Sequence, residues 1–107
     1  MPLEVTATAY DACEICCGNS LGITRSGTKV QARRTVAVDP KVIPLGSLIY
    51  IAHPDPHIDG LYSAEDTGGM IKNLRIDIYH KTHEEAVKFG VNKLNIYILK
   101  NQKTSVQ

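Results

Sequence analysis

Six short β-rich stretches follow one another along this chain, most of them alternating apolar with polar side chains: LEVTATAY, KVQARRTVAVD, SLIYIA, GLYSAED, RIDIYH and LNIYILK. A period of two puts every second side chain on the same face of an extended strand, so each stretch predicts a strand with one buried side. The turn signals GNS, SG, DPHIDG and DTGG separate them. THEEAVKFGV alone carries the marks of a helix, with Thr82 as N-cap, Glu85 completing a capping box and Gly90 closing it. DPKVIPLG predicts at most one further helical turn, capped by Asp39 with Pro40 at its first position. Strands this short and numerous in 107 residues predict a mainly β fold, a small closed or nearly closed barrel of about six strands with one or two short helices. Closure also removes exposed strand edges.

The length suits one domain, residues 1–107, with a core from about 5 to 99 and a polar, frayed tail over 100–107. Twelve Lys and Arg against eleven Asp and Glu leave a formal charge of +1, which excludes the basic footprint of a nucleic-acid binder. No apolar run reaches the roughly 20 residues that span a bilayer, and MPLEVTATAY lacks the basic and apolar regions of a signal peptide. No Walker, dinucleotide or Ser-His-Asp pattern is present, so no cofactor is expected.

Asp66 and Asp77 stand among apolar or small neighbours, where an ionised carboxylate is costly unless paired or hydrogen-bonded. Alternation sets Asp66 on the face of Tyr62 and Ala64, and sets Asp77 on the face of Arg75 and Tyr79, opposite Ile76 and Ile78. The intervening TGGMIKNL, with paired glycines, predicts a tight turn that lets a ligand or another backbone approach. That geometry would bring both acids to one cleft. The plain alternative is that the aspartate before Thr-Gly is a turn acid and that Asp39 is a cap.

The blocks TAY, GITRSG, AVDPKVIPLGSLIYI and AEDTGGMIKNLRIDIY, in that order, resemble the three-aspartate (3D) domain family of bacterial cell-wall proteins, whose acids match Asp39, Asp66 and Asp77. The resemblance implies a six-stranded double-psi β-barrel similar to the catalytic barrel of membrane-bound lytic transglycosylase A and to stationary-phase muralytic factors. It implies cleavage of the β-1,4 bond between N-acetylmuramic acid and N-acetylglucosamine in peptidoglycan, with the muramyl C6 hydroxyl as nucleophile and a 1,6-anhydro product. One carboxyl can serve such a reaction alone, first as acid and then as base. On this reading Asp66 is the acid/base and Asp77 the second carboxylate, with the two roles open to exchange, while Asp39 is either a third acid or a cap. Thr8, Tyr10, Ser26 and Gly27 match positions that line the groove. Thr67, Gly68 and Gly69 form its glycine turn, and Lys72 and Arg75 are placed to meet muramyl or peptide carboxylates. Asn73 and Leu74 depart from the Gly-polar pair common in the family, which puts the turn's shape in question.

Cys13, Cys16 and Cys17 leave three states open: a disulfide with one thiol over, half of a zinc site lacking its second half, or free thiols. No metal site is expected. The partner is the peptidoglycan glycan strand, the protein is a monomer or weak dimer, and the location is the cell wall or outside the cell, reached by export with a leader absent from this sequence or by phage release. The competing reading is a non-catalytic glycan-binding barrel, against which the absence of Trp and the single Phe count, because stacking platforms need aromatic rings.

Overall fold

The computed structural model describes residues 2–11 and 23–101. Among the described residues its strands are β1 (Pro2–Tyr10), β2 (Thr35–Ala37), β3 (Ser47–Ala52), β4 (Gly60–Asp66), β5 (Arg75–Tyr79) and β6 (Asn92–Asn101), with one helix, α1 (His83–Phe89), between β5 and β6. They close into a barrel in the order β1-β5-β2-β4-β3-β6. The pairs β1–β5 and β2–β4 are parallel and the other four antiparallel, the crossing connectivity expected of a double-psi barrel. Among the described residues no helix is long and apolar enough to cross a membrane.

The period-two pattern explains the core. Val5 and Ala7 of β1, Ile49 and Ile51 of β3, Ile76 and Ile78 of β5 and Ile96 of β6 are at most 2% exposed and share one cluster with Val36, Val38 and Ala64. β-Branched side chains with one preferred χ1 suit this half-buried pleat. β3 and β4 match the predicted segments residue for residue.

Two boundaries differ from the sequence reading. KVQARRTVAVD yields only a three-residue strand, because Arg34 and Thr35 donate their backbone N–H groups to Gln31 O and Arg33 adopts φ 66°, which turns the chain before Thr35. β6 continues through Asn101, two residues into the stretch expected to fray. In α1, Thr82 caps as predicted: its hydroxyl accepts from Glu85 N at 3.1 Å, and Gly90 closes the helix with φ 69°. The second helical turn is a single turn, in which Val42 N and Ile43 N both donate to Asp39 O at 2.9 Å. Cys13, Cys16 and Cys17 lie outside the described residues.

Candidate active site

Asp77 points away from the core, since Ile76 and Ile78 on either side of it point in. Its neighbours in register are Thr8 on β1 and Ala37 on β2. Ala37 is in turn paired with Asp66 on β4. Thr8, Asp77, Ala37 and Asp66 therefore form one row across four adjacent strands on the outer surface of the barrel. Two strand spacings separate the backbones of the acids, about 10 Å.

The face of Asp66 departs from simple alternation. Tyr62 and Ala64 are buried inside the barrel, so a regular strand would send Asp66 inward as well. The register instead runs Val36 to Ala64 and then Ala37 to Asp66, so that Glu65 is the extra residue of a β-bulge and Asp66 turns outward beside Asp77. The bulge is held from several sides. Glu65 accepts from the Thr35 hydroxyl at 2.8 Å and pairs with Arg34 Nε at 3.0 Å, and Ser26 N donates to Glu65 O at 3.0 Å.

GITRSG supplies that Ser26 contact from a tight turn, in which Ile23 bridges Lys29 and Gly27 takes φ 87°. A residue with a Cβ is strained at that angle, which accounts for the glycine. The same turn aims Arg25 N at Asp66 Oδ1, 2.9 Å away, where Thr67 N also donates at 2.9 Å. Tyr10 OH donates to Asp66 Oδ2 at 3.1 Å. Its ring packs with Ala37, Ile71 and Tyr79, meeting Tyr79 edge-on at 5.6 Å. Asp66 is thus fixed by three donors from three parts of the chain.

Asp77 is held more lightly. Thr8 Oγ1 lies 2.9 Å from its Oδ1. Burial pushes the Asp77 carboxyl above the usual aspartate range; the Thr8 hydrogen bond and the Arg75 charge oppose the rise, and the negative charge of Asp66 adds to it. Arg75 makes no ion pair with it among the described residues, and Arg75 Nε is buried without a hydrogen-bond partner.

Asp39 is held by backbone amides. Its Oδ1 accepts from Lys41 N at 3.0 Å and its Oδ2 from Asn73 N at 2.8 Å, which clips the Asp39 turn to the loop entering β5. Those two amides, with smaller help from Lys72 and Lys41, hold its carboxyl below the usual value of 3.8. This is the capping alternative, with a long-range clasp added. Asn73 sits at φ 58°, a left-handed conformation that Asn tolerates in place of Gly, so the departure from the family pattern keeps the turn's backbone. Because the folded-state pKa is lowered, the clasp contributes stability above about pH 3.8 that is lost as pH falls through the folded value. Asp39→Asn is expected to lower the melting temperature at neutral pH and to flatten the acid limb of a stability-versus-pH curve measured by circular dichroism.

The remaining predicted residues surround this row. Ser26, Gly27, Gly69 and Lys72 are exposed, while Thr67 and Gly68 are half-buried. A Cβ on Gly68 would stand 3.0 Å from Ile71 Cγ1, so close packing inside the turn explains that glycine; nothing within 4 Å constrains Gly69. Arg25, Arg34, Thr35 and Glu65, which build the bulge, were not legible as site residues. The only signal available was an apparently surplus acid next to Asp66.

The family model described as "3D domain" matches residues 34–100, more than half of the chain. The Bacillus subtilis (strain 168) "Cell wall-binding protein YocH" is 37% identical over 91% of this chain and 32% of the relative. The SPbeta prophage-derived protein YorM of the same organism is 40% identical over 87% of this chain and 40% of its own length. The chain thus spans well under half of the relatives it matches. Among solved structures, Escherichia coli MltA with bound chitohexaose superposes with a TM-score of 0.61 at 25% identity, over 74% of this chain and 27% of that one. Another MltA crystal structure, described as a unique lytic transglycosylase fold, gives 0.57 at 26% identity over 74% and 27%. The barrel, its ordered acid blocks and these matches agree: this chain belongs to the 3D domain family.

Proposed function

We propose that this domain is a lytic transglycosylase barrel that cleaves the MurNAc–GlcNAc β-1,4 bond of peptidoglycan, with Asp77, rather than Asp66, as the acid/base. The observation that carries the assignment is the contrast between the two acids. Asp66 has both oxygens occupied by three protein donors, whereas Asp77 meets one side-chain hydroxyl, is partly desolvated and has its carboxyl raised. A group that must hold a proton near neutral pH, donate it and then retrieve one suits the second environment.

In the first step the Asp77 carboxyl gives its proton to the glycosidic oxygen as that bond to the muramyl C1 breaks. In the second the resulting carboxylate takes the proton of the muramyl C6 hydroxyl as its oxygen bonds to C1. The product is a 1,6-anhydro end, Asp77 regains its proton, and no water is consumed. Asp66 serves as a fixed negative charge across Ala37 that raises Asp77 and faces the oxocarbenium-like charge. Thr8 orients Asp77, and Tyr10 and the GITRSG turn orient Asp66. Arg75 is the residue to meet a muramyl carboxylate, and Thr67, Gly68, Gly69, Ser26, Gly27 and Lys72 rim the groove. Asp39 keeps the loop into β5 in place. The working location is the cell wall.

Digestion of purified sacculi with the domain, followed by mass spectrometry, tests this reading. Anhydro-muropeptides are the expected product, and their rate of formation falls as pH rises through the elevated Asp77 value, because the acid form is the one that starts the reaction. Reducing ends would indicate hydrolysis instead. A non-catalytic wall-binding barrel is the second reading, favoured by the name of the YocH relative; sacculi retained by the protein but left intact would select it.

A further inference from the structure

A cavity opens beside the acid row, and the proposed chemistry leaves it unused. It is a cleft of about 650 Å³ between the loop carrying His53 and His57, the turn at Ala32 and Arg33, the end of β5 and the helix α1. Tyr79 belongs to both places: it packs with Tyr10 and Ala37 at the row and lines the cleft, where His80 follows it. The cleft and the acid row therefore share the end of β5.

The lining combines three kinds of chemistry. Phe89 forms an apolar wall with His53 and His80, whose rings lie 6.1 and 5.2 Å from its own. Both histidines are oriented by a hydrogen bond at Nδ1. Asp55 N donates to His53 Nδ1 at 2.9 Å, which leaves the proton on Nε2. His80 Nδ1 donates to Ile78 O at 3.0 Å. Third, Arg33, Lys81 and Lys88 face Asp55 and Glu85, three cations against two acids. Asp55 is already engaged by His57, through its amide at 2.9 Å and its ring at 3.2 Å. Neither lysine forms an ion pair among the described residues.

We infer that this cleft binds the acidic peptide carried by the muramyl residue, so that the domain selects peptide-bearing over bare glycan. This inference rests on the proposed function. The lactyl substituent and its peptide hang from the same sugar whose C1–O bond is cleaved, so a cavity that shares Tyr79 with the acid row is where they fall. A peptide supplies what the lining asks for: carboxylates for the lysines, amide N–H and C=O groups for the two histidines, and small apolar side chains against Phe89. A bare muramyl sugar offers three cations no charge beyond its lactyl carboxylate.

Muramyl dipeptide and N-acetylmuramic acid, titrated by calorimetry into wild-type protein and into K81E/K88E, test the cleft without relying on turnover. Both lysines are exposed, so the variant is expected to fold, which circular dichroism checks. The expected result is roughly tenfold weaker dipeptide binding in the variant, the sum of two partly screened charge contacts, with binding of the plain sugar acid unchanged. Equal dipeptide affinity in the two proteins, or no wild-type preference for dipeptide over sugar acid, overturns the inference. A second arm compares intact sacculi with amidase-stripped strands. Wild type is expected to form anhydro ends faster on the intact material, and K81E/K88E to lose that preference while still cutting stripped strands. Anhydro ends formed with no peptide preference sink the cleft and leave the cleavage reading standing. Charge-dependent dipeptide binding with no anhydro ends from either substrate sinks the cleavage reading and upholds the cleft.

Discussion

Asp77→Asn is expected to reduce anhydro-muropeptide formation by about 10²–10⁴-fold, the usual worth of one positioned acid/base, with the fold intact. The amide matches the carboxyl in shape and can still meet Thr8 Oγ1, so the loss is chemical rather than structural. Because burial and the nearby Asp66 disfavour the charged form of Asp77, the variant is also expected to be at least as stable as wild type at neutral pH. The sign is fixed by linkage. A carboxyl raised in the folded state costs stability once pH exceeds its unfolded value, and the uncharged amide escapes that cost. Asp66→Asn should behave differently. It replaces one of the two accepting oxygens by an NH₂ and removes the charge, so the donors at that position, two backbone N–H groups at Oδ1 or the tyrosine hydroxyl at Oδ2, lose their acceptor and stability falls as well as rate. Parallel assays of both variants by sacculus digestion and thermal melting check this. Full activity in Asp77→Asn together with loss in Asp66→Asn would reverse the assignment.

The second large effect is on the core. Ile76→Ala is expected to cost about 2–5 kcal/mol, read from the urea midpoint, because a fully buried, branched side chain is removed from a closed barrel with little freedom to collapse. Ile76 immediately precedes Asp77 and anchors the inner face of β5 while Asp77 occupies the outer face. Activity is therefore expected to persist at low temperature and to disappear together with the fold on warming. A variant with an unchanged urea midpoint would contradict the inward placement of Ile76.

How much of this was written in the amino-acid order can be judged residue by residue. The pleat of β5, the Thr82–Glu85 cap and the strands SLIYIA and GLYSAED follow from local rules: a period of two, a hydroxyl before a helix, turn residues at the ends. The outward turn of Asp66 does not, because an alternation count cannot see that Glu65 is a bulge. The bulge is specified by Thr35, Arg34 and Ser26, at least 30 positions away in the chain, once the barrel has brought them together. The clasp from Asp39 to Asn73 is hidden for the same reason. Its capping half is local and readable; its long-range half joins residues 34 positions apart. The peptide cleft was equally invisible, since His53, His80 and Phe89 meet only when three separate segments pack together.

The row Thr8–Asp77–Ala37–Asp66 draws one side chain from each of β1, β5, β2 and β4, with parallel pairs that join distant parts of the chain. No hairpin or fragment holds more than part of it. Such pairings form late in folding, since a long loop must close before they are rewarded. An incompletely folded chain consequently carries two aspartates but no blade, and the proposed site exists only from the moment the barrel shuts.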